Sequence, residues 1–281
     1  MSRTFLLFAG LIGFSAAAAI NMTADFQLAA RDNLDNLPLC ATYADKKWQP
    51  ALDFDKDSCY NVAAISPSGQ VNGGLNVVGV AGITSGCRDR QDVERTNVYS
   101  RTRCNHGWCA HMYGYYFEKD QLTEIGGGHR HDWEHVIVWT KNDQMQYVSV
   151  SQHGEYITRG YQHVQRDGTH VKIVYHKDGG RTHVMRLANA SDGGAQNHLG
   201  RWTYGTLVSY YGFPSISLRS KLMSAGFGDA SIDFNDARFM DSLNKGRPTP
   251  AFNQGFDCGR DGPEDIHNSP GIPEGGCGVR S

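Results

Sequence analysis

The sequence predicts a mostly β protein, a single-domain β-sandwich with a few flanking helices. Two observations carry that prediction. Short runs rich in β-branched and aromatic residues follow one another from Leu75 to Leu187, and clusters of Gly, Asn and Asp separate them. Such clusters build tight hairpin turns, and strands joined this closely leave no room for the helices of a βαβ alternation. A further observation is bulk. The 281 residues are 40% hydrophobic and 20% charged, an ordinary globular composition, with no internal repeat and no mid-chain linker, so one domain is the simplest account.

In chain order, Arg3, an apolar run from Phe5 to Phe14 and the small residues Ala16 to Ala19 come first. The run is too short to span a bilayer, so residues 1–19 are expected to be a cleaved signal peptide and the mature protein to be secreted and extracellular. The domain is expected over residues 20–245. Within it, Asp53-Phe54-Asp55-Lys56-Asp57 reads as a solvated turn, because Ser58 and Ala64 stand where an EF-hand loop needs Gly and Glu. Strands are expected over 75–80, 98–101, 110–117, 133–140, 145–151, 170–176 and 181–187. Tyr113, Tyr115 and Phe117 share one face of such a strand and read as core. Helices are expected over 217–225 and 234–244. Residues 246–281 turn to Gly and Pro and read as a loop-rich tail tethered by cysteine. Cys258 to Cys277 is the favoured pair there, because both lie in that tail.

Seven cysteines beyond the signal point to disulfides in an oxidising compartment, with one thiol left over. A net charge of −2 offers no basic stripe for phosphates, which argues against nucleic acid. Asn21-Met22-Thr23 and Asn189-Ala190-Ser191 are glycosylation sequons.

The densest chemistry lies in Gly128-His129-Arg130-His131-Asp132-Trp133-Glu134, which runs into the strand-like His135-Val136-Ile137-Val138-Trp139. On a strand Asp132 and Glu134 face the same way as Val136 and Val138, while His131, Trp133 and His135 face the other way. Gly126-Gly127-Gly128 gives His129 the freedom to fold back over the acidic face. An imidazole beside carboxylates suits a hard divalent cation, Ca2+ or Mg2+ with Mn2+ as a further option. The alternative is a surface salt-bridge cluster in which Arg130 and the histidines neutralise the acids.

The heptapeptide at 128–134 resembles the signature of the necrosis- and ethylene-inducing protein-like family, secreted cytolytic phytotoxins of microbes. Further likenesses are Cys59-Tyr60-Asn61, Gly73-Gly74-Leu75-Asn76, Cys87, the run 101–121, Phe227-Gly228-Asp229-Ala230 and Phe234-Asn235-Asp236-Ala237, so about residues 40 to 240 are covered. The resemblance implies an actinoporin- or lectin-like sandwich with disulfides Cys59–Cys87 and Cys104–Cys109. It implies a metal held by Asp120, His129, Asp132 and Glu134, although Glu118 replaces a proline common in the family. Arg130, His131 and Trp133 become headgroup contacts or supports of the ligands, and Trp108 and Trp133 become candidates for membrane contact that otherwise read as packed side chains. The implied activity is non-enzymatic: metal-dependent binding of glycosylinositol phosphoceramide sphingolipid headgroups on plant plasma membranes, causing membrane damage, necrosis and immune responses, with plant immune receptors as further partners. A metal-dependent hydrolase using His131 or Glu134 as base, and a non-cytolytic binding or elicitor member, are the alternatives.

Overall fold

The computed structural model describes residues 34–77 and 82–262. The expected signal peptide, the Asn21 sequon, Cys277 and the second half of the expected 75–80 strand lie outside them. In chain order the elements are α1 (Tyr43–Trp48), β1 (Ala51–Phe54), α2 (Arg90–Glu94), β2 (Asn97–Asn105), β3 (Trp108–Thr123), β4 (Gly126–Lys141), β5 (Gln144–Gln152), β6 (Glu155–Gly160), β7 (Arg166–Asp167), β8 (His170–Lys177), β9 (His183–Leu187), β10 (Thr206–Ser209), α3 (Ile216–Met223), α4 (Phe239–Gly246) and α5 (Thr249–Asn253).

Six strands form one sheet in the order β10-β2-β3-β4-β5-β6, and β1-β8-β7 with β9 beside β8 form the other. The larger sheet is antiparallel except where β10 runs parallel to β2. Its middle strands are buried on both faces. On one face Tyr113, Tyr115, Phe117, Val136 and Val138 meet Phe54, Ile173 and Tyr175 of the smaller sheet. On the other, Met112, Tyr116, Trp133, Ile137 and Trp139 pack with Leu222, Phe234, Leu243 and Phe256 from the helical side. A strand covered twice reads as a nearly continuous apolar run, which is why 133–140 stands out in the sequence. The aromatic stripe of β3 is core, as expected.

Both disulfides implied by the resemblance, Cys59–Cys87 and Cys104–Cys109, are formed. The tail is different. Cys258 is a free, buried thiol, so the expected Cys258–Cys277 pair is not formed. Residues 249–262 are held instead by packing of Phe256 edge-on against Trp139 at 5.4 Å and by Arg103 donating to the Cys258 carbonyl. The solvated turn expected at 53–57 is corrected in part: Asp53 lies buried in β1, and its carboxylate accepts from the Gln196 N–H at 3.0 Å and the Asn197 amide at 2.8 Å, whereas Lys56 and Asp57 do form a turn, with Lys56 exposed. Residues 75–77 do not form a strand. The second helix begins at Phe239, not 234, because Phe234 is an anchor stacked on Tyr99 and set edge-on to Trp133.

Candidate metal centre

The site grows from the β3–β4 hairpin. Phe117 lies opposite Asp132 and Asp120 lies opposite His129. Regular alternation would put Asp120, three residues past Phe117, on the face away from Asp132, and the same holds for His129. Yet ligand atoms of Asp120, His129 and Asp132 all lie within 4.8 Å of one another. The ladder explains this: it passes from Phe117–Asp132 to Lys119–Arg130 without pairing Glu118 to His131, and His131 takes φ 62°, a left-handed conformation rare for a side-chain-bearing residue. The break turns the distal hairpin so that its outward residues rejoin the acidic face. The Leu75 N–H caps the interruption by donating to the Glu118 carbonyl at 2.7 Å.

Two glycines are required by this geometry. Gly128 has φ +87°, and a Cβ there would lie 2.0 Å from the Asp120 carbonyl oxygen. Gly74 has φ +65°, and its Cβ would lie 2.6 Å from the His131 ring. The triple glycine belongs to β4 itself rather than to a preceding loop.

The ligand atoms are individually oriented. The His129 Nδ1 lies 2.7 Å from the His131 carbonyl oxygen; that oxygen can only accept, so Nδ1 carries the proton and Nε2 keeps the lone pair a metal needs. Asp132 accepts from the Tyr175 hydroxyl at 2.8 Å. One Asp120 oxygen accepts from the His183 N–H at 2.8 Å and the other meets the His183 Nδ1 at 2.7 Å. Glu134 lies on the same face as Asp132, accepts from the Ser151 hydroxyl and stands beside the three-residue cluster rather than within it. Asp120, His129, Asp132, Glu134, Ser151 and His183 line one cavity of about 460 Å³, which Asp229, Asp233, Arg238 and Lys245 also line.

The electrostatics are unfavourable for an empty site. Burial, then the Asp120 charge, raises the Asp132 carboxyl to about 7, against the pull of His129 and the Tyr175 hydroxyl. Burial, then Asp132, raises Glu134 well above the usual carboxylate range. His129 is disfavoured as a cation by burial but held up overall by Asp132 and by its bond to the His131 carbonyl. A hard divalent ion would relieve all three effects.

Other expected residues are placed elsewhere. Arg130 is exposed and donates to Asn76 and Gly73, away from the acids, so it neither neutralises them nor lines the cavity. The His131 ring packs on the opposite face, bonded to the Tyr116 hydroxyl at 2.7 Å, which removes it as a general base acting in the cavity. Trp133 borders the cavity but is buried among Tyr99, Tyr116 and Phe227. Trp108 is buried and donates to Gln254. Neither indole is available to a membrane. Sequence reasoning missed Tyr175, His183 and Ser151, which reach the site from other strands.

A family model described as "Necrosis inducing protein (NPP1)" matches residues 42–246. The chain belongs to the necrosis-inducing protein family. Among its NPP1 relatives, "NLP effector protein 2" of Phytophthora capsici is 31% identical over 208 residues, 72% of this chain and 78% of that protein. Three solved structures share the fold. "Toxin fold as basis for microbial attack and plant defense" has TM-score 0.64 and 27% identity, covering 76% of this chain and 97% of that one. "NLPPya in complex with glucosamine" has TM-score 0.62 and 26% identity, over 75% and 95%, and "non-toxic HaNLP3 protein" has 0.63 and 26%, over 76% and 97%. The two-sheet NPP1 architecture is thus the actinoporin-like toxin fold that the sequence resemblance implied.

Proposed function

We propose that this chain is a secreted, non-enzymatic necrosis-inducing toxin. Its cavity binds a divalent cation, Ca2+, Mg2+ or Mn2+, through Asp120, His129, Asp132 and Glu134, and the ion in turn takes hydroxyls of a sugar headgroup. The headgroup class is that of glycosylinositol phosphoceramide in the outer leaflet of plant plasma membranes, and membrane damage, necrosis and immune responses follow. The observation that carries this reading is the cluster of buried carboxylates facing one cavity, their charge only partly answered by His129 and His183. Buried acids that destabilise an empty site are explained by a ligand that offsets their repulsion. The sugar arm draws support from a relative solved with glucosamine. Oxygen ligands with open positions suit sugar hydroxyls.

Vesicles of plant sphingolipid composition, loaded with a dye, test the proposal. Leakage that a chelator prevents and a divalent cation restores is the expected result, with the lipid chemically intact afterwards. Headgroup release would instead favour a hydrolase with Glu134 as base. A second reading, a member that binds without lysis, has a specific support in the solved "non-toxic HaNLP3 protein"; binding to the vesicles without leakage would establish it.

A further inference from the structure

We infer that Asn189 is an N-glycosylation site whose glycan stands clear of the cavity. The sequence carries Asn189-Ala190-Ser191, and the structure meets the requirements that the motif alone leaves open. All three residues are exposed, in a turn just after β9. The Asn189 Oδ1 accepts from the Ser191 N–H at 2.8 Å and the Ser191 hydroxyl at 2.5 Å, while its Nδ2 makes no hydrogen bond among the described residues. The amide nitrogen that would carry a sugar is therefore the free atom of the side chain.

The turn is fixed without help from that nitrogen. The Asp192 carboxylate accepts from both Arg186 guanidinium nitrogens, at 2.7 and 2.8 Å, and from the Asn189 N–H at 2.7 Å. Gly193 and Gly194, which follow, have nothing within 4 Å of where a side chain would start, so the surroundings are open. Distance separates the turn from the cavity. His183, at the start of β9, lines the cavity, and Asn189 lies six residues on, about 20 Å along an extended chain at roughly 3.3 Å per residue. A glycan at Asn189 projects from the opposite end of that strand.

The chemistry is the transfer of an oligosaccharide from a lipid pyrophosphate donor of the secretory pathway. The Asn189 Nδ2 forms a bond to the anomeric carbon and loses a proton, the bond from that carbon to phosphate oxygen breaks, and the lipid pyrophosphate leaves. The test is secretion of the full chain from a eukaryotic host, with peptide mapping after enzymatic deglycosylation, which converts an occupied Asn to Asp. Conversion at 189 in the wild type and in Ser191→Thr, its loss in Ser191→Ala and Asn189→Gln, and cation binding equal within twofold before and after deglycosylation are the expected results. Unmodified Asn189 in secreted wild-type protein, including the case of a glycan at Asn21 alone, would overturn the inference. So would a glycan at Asn189 whose removal changes cation binding more than twofold. Neither outcome bears on whether the protein lyses membranes.

Discussion

Asp132→Asn should stabilise the metal-free protein while destroying its cation site. The carboxyl titrates at 3.8 in an open chain and at about 7 in the fold. Between those values the folded state binds more protons than the unfolded state, so stability falls as pH rises. The full penalty, a shift of roughly three pH units, is about 4 kcal/mol once pH exceeds the folded value. Asparagine keeps the shape and can still accept from the Tyr175 hydroxyl, but carries no charge to desolvate. Urea unfolding in the presence of chelator should therefore find the variant more stable than wild type by about 2 kcal/mol at pH 5 and about 4 kcal/mol at pH 8. Saturating divalent cation should reverse the order, because it binds the wild-type fold alone. A variant no more stable than wild type at pH 8, or a gap independent of pH, would refute the claim that Asp132 is a strained acid awaiting a ligand.

The remaining predictions concern the frame of the site and its surroundings. Gly128→Ala drives a methyl group into the Asp120 carbonyl; cation affinity measured by calorimetry should fall at least tenfold, with a stability loss of about 1–2 kcal/mol from the left-handed backbone. Arg130→Ala should leave cation affinity within twofold, since the guanidinium bonds to the 73–76 segment rather than to the acids. Ile125, 77% exposed at the tip of the site's own hairpin, is the apolar contact the proposed function offers a membrane: Ile125→Ser should reduce vesicle leakage severalfold at unchanged cation affinity. Cys258, whose thiol burial pushes up to about 11, should resist alkylation in the native protein and react once unfolded, as followed by mass spectrometry.

How much of this was legible in the sequence varies from residue to residue. Asp132 and Glu134 share a face because β4 alternates regularly from Asp132 onward, and local periodicity captures that. Asp120 and His129 join them by breaking alternation at His131, and no propensity marks a left-handed histidine in a strand; the triple glycine pointed to His129, whereas only the family resemblance pointed to Asp120. Tyr175 and His183 fall within the expected strands 170–176 and 181–187 with nothing local to single them out, because their hydroxyl and imidazole reach the site through the packing of the second sheet. β1 and β10 are four residues each and make parallel pairs with β8 and β2, contacts set by residues more than a hundred positions away. Phe234 looked like a helix start from its neighbours but is fixed by Tyr99 and Trp133, a tertiary override of local preference.

Direct titration of the chelator-stripped protein with Ca2+, Mg2+ and Mn2+ is the most immediate measurement of the central claim. One cation per chain, with binding lost in Asp120→Asn and Asp132→Asn but kept in Arg130→Ala, is the predicted result. Absence of binding by folded wild type, or binding that survives loss of both aspartates, would contradict it.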